Sequence, residues 1–310
     1  MHLYDIQRED RLSEYVGYLV IDWGKGYIIW AQSAAVCEIR WSRLMINAVR
    51  NALNSLLGSI GSLNNAAGAG RIYELFIMTG VAAELQNRGF DVWLQRSDGS
   101  RILLTDVDQT FVQRGGGPSG LPPASAGPGN ASVIGVRKPS GSEWELWNGI
   151  QFRGRSGAAH EIDIAFVPRG VANQLRTTGG MPFGRPRVSI ECKEVAQTGS
   201  VDEMRAFVAR LYDLTLLQLQ LAYIQTQYPG PAMGIYPASP IGAFYSARNT
   251  YWDENRHSFN ALARRSGFAS GATAMTAYYG IEPHASITLG SSQVTALIQA
   301  VCQWIESQCP

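Results

Sequence analysis

The segment 187–195, Arg-Val-Ser-Ile-Glu-Cys-Lys-Glu-Val, constrains the fold more than any other part of the chain. Apolar and polar residues alternate in it, and successive side chains of a strand point to opposite faces, so the pattern predicts a strand with one apolar face. Glu191 and Lys193 then share the polar face, about 7 Å apart along the strand. This spacing allows a carboxylate and an ammonium to serve one reacting centre in a cleft. It also fits a solvent-facing pair on an edge strand.

Lysine is rare in this chain, which makes Lys193 conspicuous. Of the 26 basic residues, only Lys25, Lys138 and Lys193 are lysines, and the others are arginines. A lysine ammonium is compact, its pKa falls when it is buried, and it can orient or activate a water molecule. A lysine inside an apolar strand therefore favours a chemical role.

A second alternating segment lies upstream, at 160–167. It predicts a strand with Glu161, Asp163 and Ala165 on one face and Ile162, Ile164 and Phe166 on the other. Aspartate is disfavoured in strands, so Asp163 needs a reason to be there. Further upstream, 144–147 and 150–152 predict an earlier pair of strands that leads through the Gly and Ser residues of 153–157 into the Asp163 strand.

One predicted strand carries an acidic residue, and the next carries Glu-x-Lys. These strands lie between a helix that carries a Glu and a long amphipathic helix. This arrangement resembles that of the PD-(D/E)XK nuclease superfamily. Asp163 matches the Asp of the motif, Glu191 its second acid and Lys193 its lysine, while Glu74 matches the helical Glu. The resemblance covers roughly 70–237. The chain departs from the motif with Ile162 in place of proline, as many members do. It also departs with 27 residues between Asp163 and Glu191, which implies an inserted loop from Pro168 to Pro186 at the edge of the cleft.

The resemblance implies a metal-dependent endonuclease that hydrolyses DNA phosphodiester bonds, in restriction, anti-phage defence or repair. Mg²⁺ or Mn²⁺ would be held by Asp163, Glu191 and the backbone carbonyl of Cys192, with Glu74 orienting a metal-bound water or holding a second ion. Lys193 would position the nucleophile or stabilise the charge of the transition state. Clustered carboxylates repel one another, so we expect divalent cations to stabilise the protein.

Glu161, on the face predicted for Asp163, is a reserve acid, with an outward structural role as the alternative. A surface position near a helix N-terminus is likewise the alternative for Glu74. Three arginines of the predicted helix 34–57 suit phosphate contact or a solvated face.

The expected fold is α/β, with a restriction-endonuclease-like core, a central mixed β-sheet flanked by helices, and helical N- and C-terminal additions. The expected domains are an N-terminal hairpin or helical region at 1–65, the nuclease-like core at 66–240 and a C-terminal extension at 241–310. A hairpin or two short helices fit 15–31. Helices are predicted at 71–88, 201–228 and 292–308, and strands at 90–94 and 232–236.

Residues 98–142 are rich in Gly and Pro and predict a flexible insertion, which either lies over the substrate groove or is a plain loop. The last 70 residues interleave arginines with aromatic pairs, Tyr251-Trp252 and Tyr278-Tyr279 among them. That composition suits base stacking and backbone contact, or ordinary packing.

The net charge of +1 is too small to indicate nucleic-acid binding through an overall positive field. No CxxC or Cys/His pairing connects the four cysteines, so we expect neither a zinc site nor a disulfide scaffold. We also expect no signal peptide and no membrane span, and a reducing, cytoplasmic setting.

Two alternatives stay open. The chain has a nuclease-like fold that serves as a nucleic-acid-binding or assembly module without catalysis, or it has a different fold, such as that of a hydrolase without metal, in which the motif occurs by chance. DNA is the expected partner, with RNA open. The resemblance allows a homo-oligomer that cuts both strands, or a protein partner that supplies specificity.

Overall fold

The chain divides into two compact units, Met1–Ala48 and Val49–Pro310. The computed structural model describes residues 3–4, 17–22, 27–32, 34–57, 63–64, 69–112, 132–139, 141–215, 251–252 and 254–308. In the first unit, β1 (Leu3–Tyr4), β2 (Gly17–Asp22) and β3 (Tyr27–Gln32) form an antiparallel sheet. Thus 15–31 contains a hairpin rather than two short helices. Helix α1 (Ala34–Leu57) begins in this unit and has the predicted bounds.

The second unit is built on a mixed sheet of seven strands. The strands of this unit, including the short pair β4 and β6, are β4 (Leu63–Asn64), β5 (Asp91–Gln95), β6 (Phe111–Val112), β7 (Val133–Arg137), β8 (Glu143–Arg153), β9 (Ala159–Pro168), β10 (Val188–Lys193), β11 (Phe259–Arg264) and β12 (Glu282–His284). The spatial order is β12-β11-β10-β9-β8-β7-β5. Neighbours are antiparallel from β5 to β10, whereas β10, β11 and β12 run parallel.

Helices flank this sheet, which confirms the expected α/β class. They are α2 (Ala69–Asn87), α3 (Arg169–Thr178), α4 (Val201–Leu214), α5 (Ser270–Tyr279) and α6 (Ser292–Gln308). Helix α2 packs on α6 and on the central strands, while α4 packs on α5. The Ser200 hydroxyl accepts from the Glu203 N–H and caps α4. No helix among the described residues combines the length and apolar content of a membrane span.

Three predicted connections are wrong. Residues 144–152 belong to one continuous strand, β8, instead of a pair. The insertion at 98–142 contains β7, an inner strand of the sheet, because the apolar run 133–136 is buried between its neighbours. The loop from Pro168 to Pro186 contains α3, which packs on β8 and β9.

The additions at the two ends are not purely helical. The segment 241–310 contributes β11 and β12 to the same sheet as the core, so that sheet crosses the predicted boundary at 240. The strand predicted at 232–236 and the second half of the helix predicted at 201–228 lie outside the described residues. The parallel strand after α4 that the structure describes is β11, paired with β10 from Val188↔Phe259 to Lys193↔Arg264.

Candidate functional site

Strands β9 and β10 stop pairing immediately before the predicted acidic residues. The last pair of their antiparallel register is Ile190↔Ile164, and Asp163 and Glu191 are the residues next to this pair on the unpaired side. Here Asp163 Oδ2 accepts a hydrogen bond from the Cys192 backbone N–H at 2.7 Å. One carboxylate oxygen thus occupies the position where the two strands separate.

The neighbouring strand is also distorted at this point. Gly149 of β8 has φ 61° and lies between the pairs Asn148↔Ile164 and Ile150↔Ile162, opposite Asp163. Glycine adopts this left-handed conformation without steric cost. Ile162 packs in the same buried cluster as Ala165, so the strict alternation predicted for β9 is interrupted at Asp163. Local distortions of this kind re-aim side chains beside functional sites.

Glu191 lies in the interior of the sheet. Its strand runs between β9 and β11, and its side chain is 1% exposed, so the solvent-facing edge pair is excluded. Glu191 Oε1 accepts from Lys193 Nζ and from Arg210 Nη2 of α4, the latter at 2.7 Å. Glu191 Oε2 is buried and has no hydrogen-bond partner among the described residues.

Helix α2 carries a third carboxylate, Glu74. This residue is 7% exposed, so it is not a surface glutamate. Its Oε2 accepts from Arg71 Nη1 at 2.9 Å and from Asn148 Nδ2 at 2.7 Å. Asn148 also donates to the Asp163 carbonyl at 3.1 Å, which connects α2 to both central strands. Arg71 forms a further ion pair with the half-buried Glu161, so this reserve acid already has a partner.

The electrostatics identify Glu74, Asp163 and Glu191 as one cluster. Burial raises the pKa of Asp163 well above its usual value, and the negative charges of Glu191 and Glu74 raise it further. Burial likewise raises the pKa of Glu74, against the effect of Arg71. In the described structure, the hydrogen bonds to each of these carboxylates go to one oxygen: Oε2 of Glu74, Oδ2 of Asp163 and Oε1 of Glu191.

The Lys193 ammonium does not have the lowered pKa that burial alone would give it. Burial lowers the pKa of its ammonium, but the Glu191 carboxylate, through its charge and its hydrogen bond, outweighs burial and makes the net shift upward. Lys193 therefore stays charged at neutral pH and is not a base of lowered pKa. The Cys192 thiol is buried, which raises its pKa well above the usual value and keeps it neutral. Cys192 is a free thiol, as is Cys302.

Sequence reasoning missed Arg71, Arg210 and Asn148. Arg71 had a detectable signal, because residues three apart on a helix are neighbours and Arg71 precedes Glu74 by three. Arg210 and Asn148 had none, since their contacts with Glu191 and Glu74 join elements that are distant in sequence.

The cluster offers oxygen donors for a hard cation. Among the described residues, no group of three or more His, Cys, Asp or Glu side chains is arranged to hold a metal ion. A set of Asp163, Glu191 and the Cys192 carbonyl uses only two side chains. The buried Glu191 Oε2 without a partner fits such a set, because an ion would supply what this oxygen lacks.

Comparisons of the chain with protein-family models, with curated proteins and with solved structures found no match. The site is therefore interpreted from its own chemistry.

Proposed function

We propose that this chain is a metal-dependent phosphodiester hydrolase of the PD-(D/E)XK type that acts on DNA. The observation that carries the proposal is the cluster of Glu74, Asp163 and Glu191 beside the Lys193 ammonium at the point where β9 and β10 separate. A series of elements, α2, β8, β9, β10, α4 and β11, supports a restriction-endonuclease-like core, with β5, β6 and β7 inserted between α2 and β8 and α3 inserted between β9 and β10. It contains helix, three strands, helix and strand, with the last strand parallel to its neighbour.

A divalent ion, Mg²⁺ or Mn²⁺, would be held by Asp163, Glu191 and the Cys192 carbonyl, with Glu74 adjacent. When bound, it would act as a Lewis acid on the phosphate and lower the pKa of a water. The protein's own part is to hold one oxygen of each carboxylate with protein donors, which leaves the other oxygen for the ion. This preorganisation has a cost, since like charges are crowded in a buried place.

Lys193 supplies positive charge where the reaction needs it. Its raised pKa keeps it an ammonium, so we assign it to stabilising the negative charge that grows on the phosphate, in preference to removing a proton. Arg210 holds Glu191 from α4, and Arg71 holds Glu74 and Glu161 from α2. Both arginines would hold the carboxylates in place before an ion arrives.

One observation favours the second candidate, a nucleic-acid-binding or assembly module without catalysis. Glu74 and Glu191 are already paired with Arg71, Arg210 and Lys193 within the chain. Such pairing could satisfy the cluster permanently and make a metal unnecessary.

Cleavage assays distinguish these candidates. Supercoiled plasmid, single-stranded DNA and RNA are incubated with Mg²⁺, Mn²⁺ or EDTA. We expect cutting that requires the metal and falls roughly 100-fold or more in Lys193→Ala and in Asp163→Ala. Arg137→Ala, which loses only an exposed ion pair with Asp91, is the matched control and should cut normally. The nucleic acid that is cut decides between DNA and RNA.

The melting temperature provides a readout that does not depend on activity. Mg²⁺ should raise it in the wild type and raise it much less in Asp163→Asn, because the variant lacks one of the two carboxylates that would hold the ion. The absence of both cutting and a metal-dependent shift would contradict the hydrolase and favour the binding module.

Size-exclusion chromatography then tests for a homo-oligomer. The two buried free thiols fit the proposed cytoplasmic setting.

A further inference from the structure

Four aromatic side chains, which belong to the two pairs that stand out in the sequence, meet at the end of α5. The Trp252 ring is parallel to that of Tyr279, with centroids 6.1 Å apart and 8° between the planes. Tyr278 meets Trp252 edge-on at 5.7 Å, and Tyr251 does so at 5.3 Å. Tyr251 is buried and its hydroxyl donates to the Tyr279 carbonyl. The four rings therefore pack against one another and form an aromatic wall.

A groove of about 570 Å³ lies between this wall and α4. Its lining includes Arg205 and Tyr212 from α4 and Met275 and Tyr278 from α5. Tyr278 is 59% exposed, and Tyr212 is 36% exposed. An aromatic residue this accessible is available to a ligand, and the volume lies in the range of small-molecule sites. None of the carboxylates of the candidate active site lines this groove.

The charges around the groove favour an anionic ligand. Arg205 is the charged residue of its described lining, which contains no carboxylate. Arg155 lies over the Tyr212 ring, 5.0 Å from its centroid. Arg205 pairs with Asp202, but both side chains are largely exposed, so this pair is weak and can exchange partners. Aromatic faces stack with bases, and guanidinium groups bind phosphates, which together describe a nucleic-acid strand.

Helix α4 connects the groove to the carboxylate cluster. Ala209 lines the groove, and the next residue, Arg210, donates to Glu191 Oε1 at 2.7 Å. A strand seated in the groove would therefore lie on the helix that carries a contact to the candidate active site. An anchoring position of this kind would select flexible, unpaired substrate, because a base inside a duplex is covered on both faces by its stacked neighbours and cannot stack on Tyr278.

We infer that this groove binds an unpaired base of a single-stranded nucleic acid, stacked on Tyr278 beside Trp252, with Arg205 on the adjoining phosphate. The inference deepens the proposed function and depends on it only for the choice of nucleic acid as ligand. It predicts that single-stranded DNA, or the unpaired part of a junction, is bound in preference to a continuous duplex.

Fluorescence anisotropy in EDTA tests the inference without any cleavage. The probes are a labelled thymidine oligonucleotide, a duplex of the same length and a proline-rich peptide. We expect Tyr278→Ala to weaken binding of the single strand roughly 10-fold or more. Tyr278→Phe should keep the affinity, because the ring is retained. Arg205→Ala should weaken binding and reduce its salt dependence. Leu104→Ala, which truncates an exposed side chain outside the groove, is the control and should bind like the wild type.

The outcomes separate this inference from the proposed hydrolase. Binding that requires Tyr278 supports the groove whether or not the wild type cuts nucleic acid with any metal. Equal affinity of wild type and Tyr278→Ala for the single strand overturns it, even when the wild type cuts. Tighter binding of the duplex also overturns it. So does binding of the peptide alone, since aromatic grooves also bind proline-rich segments.

Discussion

Glu145 and Glu191 are both buried carboxylates on strands of one sheet, and both pair with an arginine from a helix, yet their surroundings differ. Both oxygens of Glu145 are used: Oε1 accepts from Arg176 and Gln95, and Oε2 accepts from Arg176 and Trp147. Glu191 receives its hydrogen bonds on Oε1 alone, and Oε2 is left without one in the described structure.

The surrounding charge differs as well. Glu145 and Arg176 form a bidentate ion pair with N–O distances of 2.7 and 2.8 Å, and both side chains are buried. Glu191 instead shares its region with the carboxylates of Asp163 and Glu74. A buried polar network in which every atom has a hydrogen-bond partner makes the core rigid and specifies one arrangement of it. A cluster of like charges with one oxygen free is costly, and such cost is typical of sites kept for function. Glu145 thus has the surroundings of a structural carboxylate, whereas the surroundings of Glu191 support the proposed metal site.

The largest expected effect breaks the satisfied network. Arg176→Met leaves the Glu145 charge buried without its partner, and we expect the free energy of unfolding to fall by about 3–5 kcal/mol. Urea unfolding measures it. The control Arg137→Ala removes an exposed pair, whose side chains are 46% and 39% exposed, and should cost less than about 1 kcal/mol. A loss in Arg176→Met no larger than in the control would contradict the structural role.

A smaller effect of opposite sign is expected at the candidate site. The pKa of Asp163 is raised in the folded protein, so its ionised form opposes folding, and stability is lost as pH rises through that pKa. Asp163→Asn keeps the acceptor for the Cys192 N–H and removes the charge. We expect it to stabilise the protein by about 1–2 kcal/mol above the raised pKa.

The pH dependence sharpens this second prediction. The advantage of Asp163→Asn should shrink as the pH falls through the raised pKa, because the wild-type carboxyl then becomes neutral as well. Melting temperatures across the pH range measure it. Glu145→Gln is the matched control, and it should destabilise at neutral pH because Arg176 loses its charge partner. A lower melting temperature for Asp163→Asn than for the wild type at alkaline pH would argue against a repulsive cluster.

The smallest effect is expected at a half-buried pair that lies between these extremes. Asp213 accepts from the Ser156 hydroxyl and contacts His160 Nε2, both at 2.6 Å. Burial raises the pKa of Asp213, but the hydrogen bonds from Ser156 and His160 outweigh burial and lower it overall. Its stabilisation is therefore present at neutral pH and is lost as the pH falls through the lowered pKa. We expect Asp213→Asn to cost about 0.5–1 kcal/mol at neutral pH, since solvent screens the pair.

Unfolding of Asp213→Asn at neutral and at acid pH tests that decline. Asp202→Asn is the control, because the Asp202 side chain is 83% exposed and the loss of its pair with Arg205 should cost little stability. A cost of Asp213→Asn that stays constant down to acid pH would mean that shape, and not charge, makes the pair useful.

Much of the secondary structure followed from local patterns. The bounds of α1 and α6 and the strand at 188–193 were predictable because they depend on periodicity and on neighbouring residues. Strand β7 lies inside a segment whose Gly and Pro content predicts a flexible insertion, although the apolar run 133–136 is visible in the sequence. Its Gly135 lies under the Trp93 ring, where a Cβ would come within 2.1 Å of a ring atom. This glycine permits close packing and does not end the strand.

The sequence by itself determined that Glu191 and Lys193 share one strand, that Asp163 lies on another, and that Glu74 is helical. Strand and helix periods are local properties, so spacing alone fixes them. Only the tertiary structure decided that Asp163 meets the Cys192 N–H, that Arg210 reaches Glu191, and that Lys193 stays charged. Strand register, burial and the field of neighbouring charges arise from elements far apart in the chain, and they decide which carboxylate oxygens receive hydrogen bonds from the described residues.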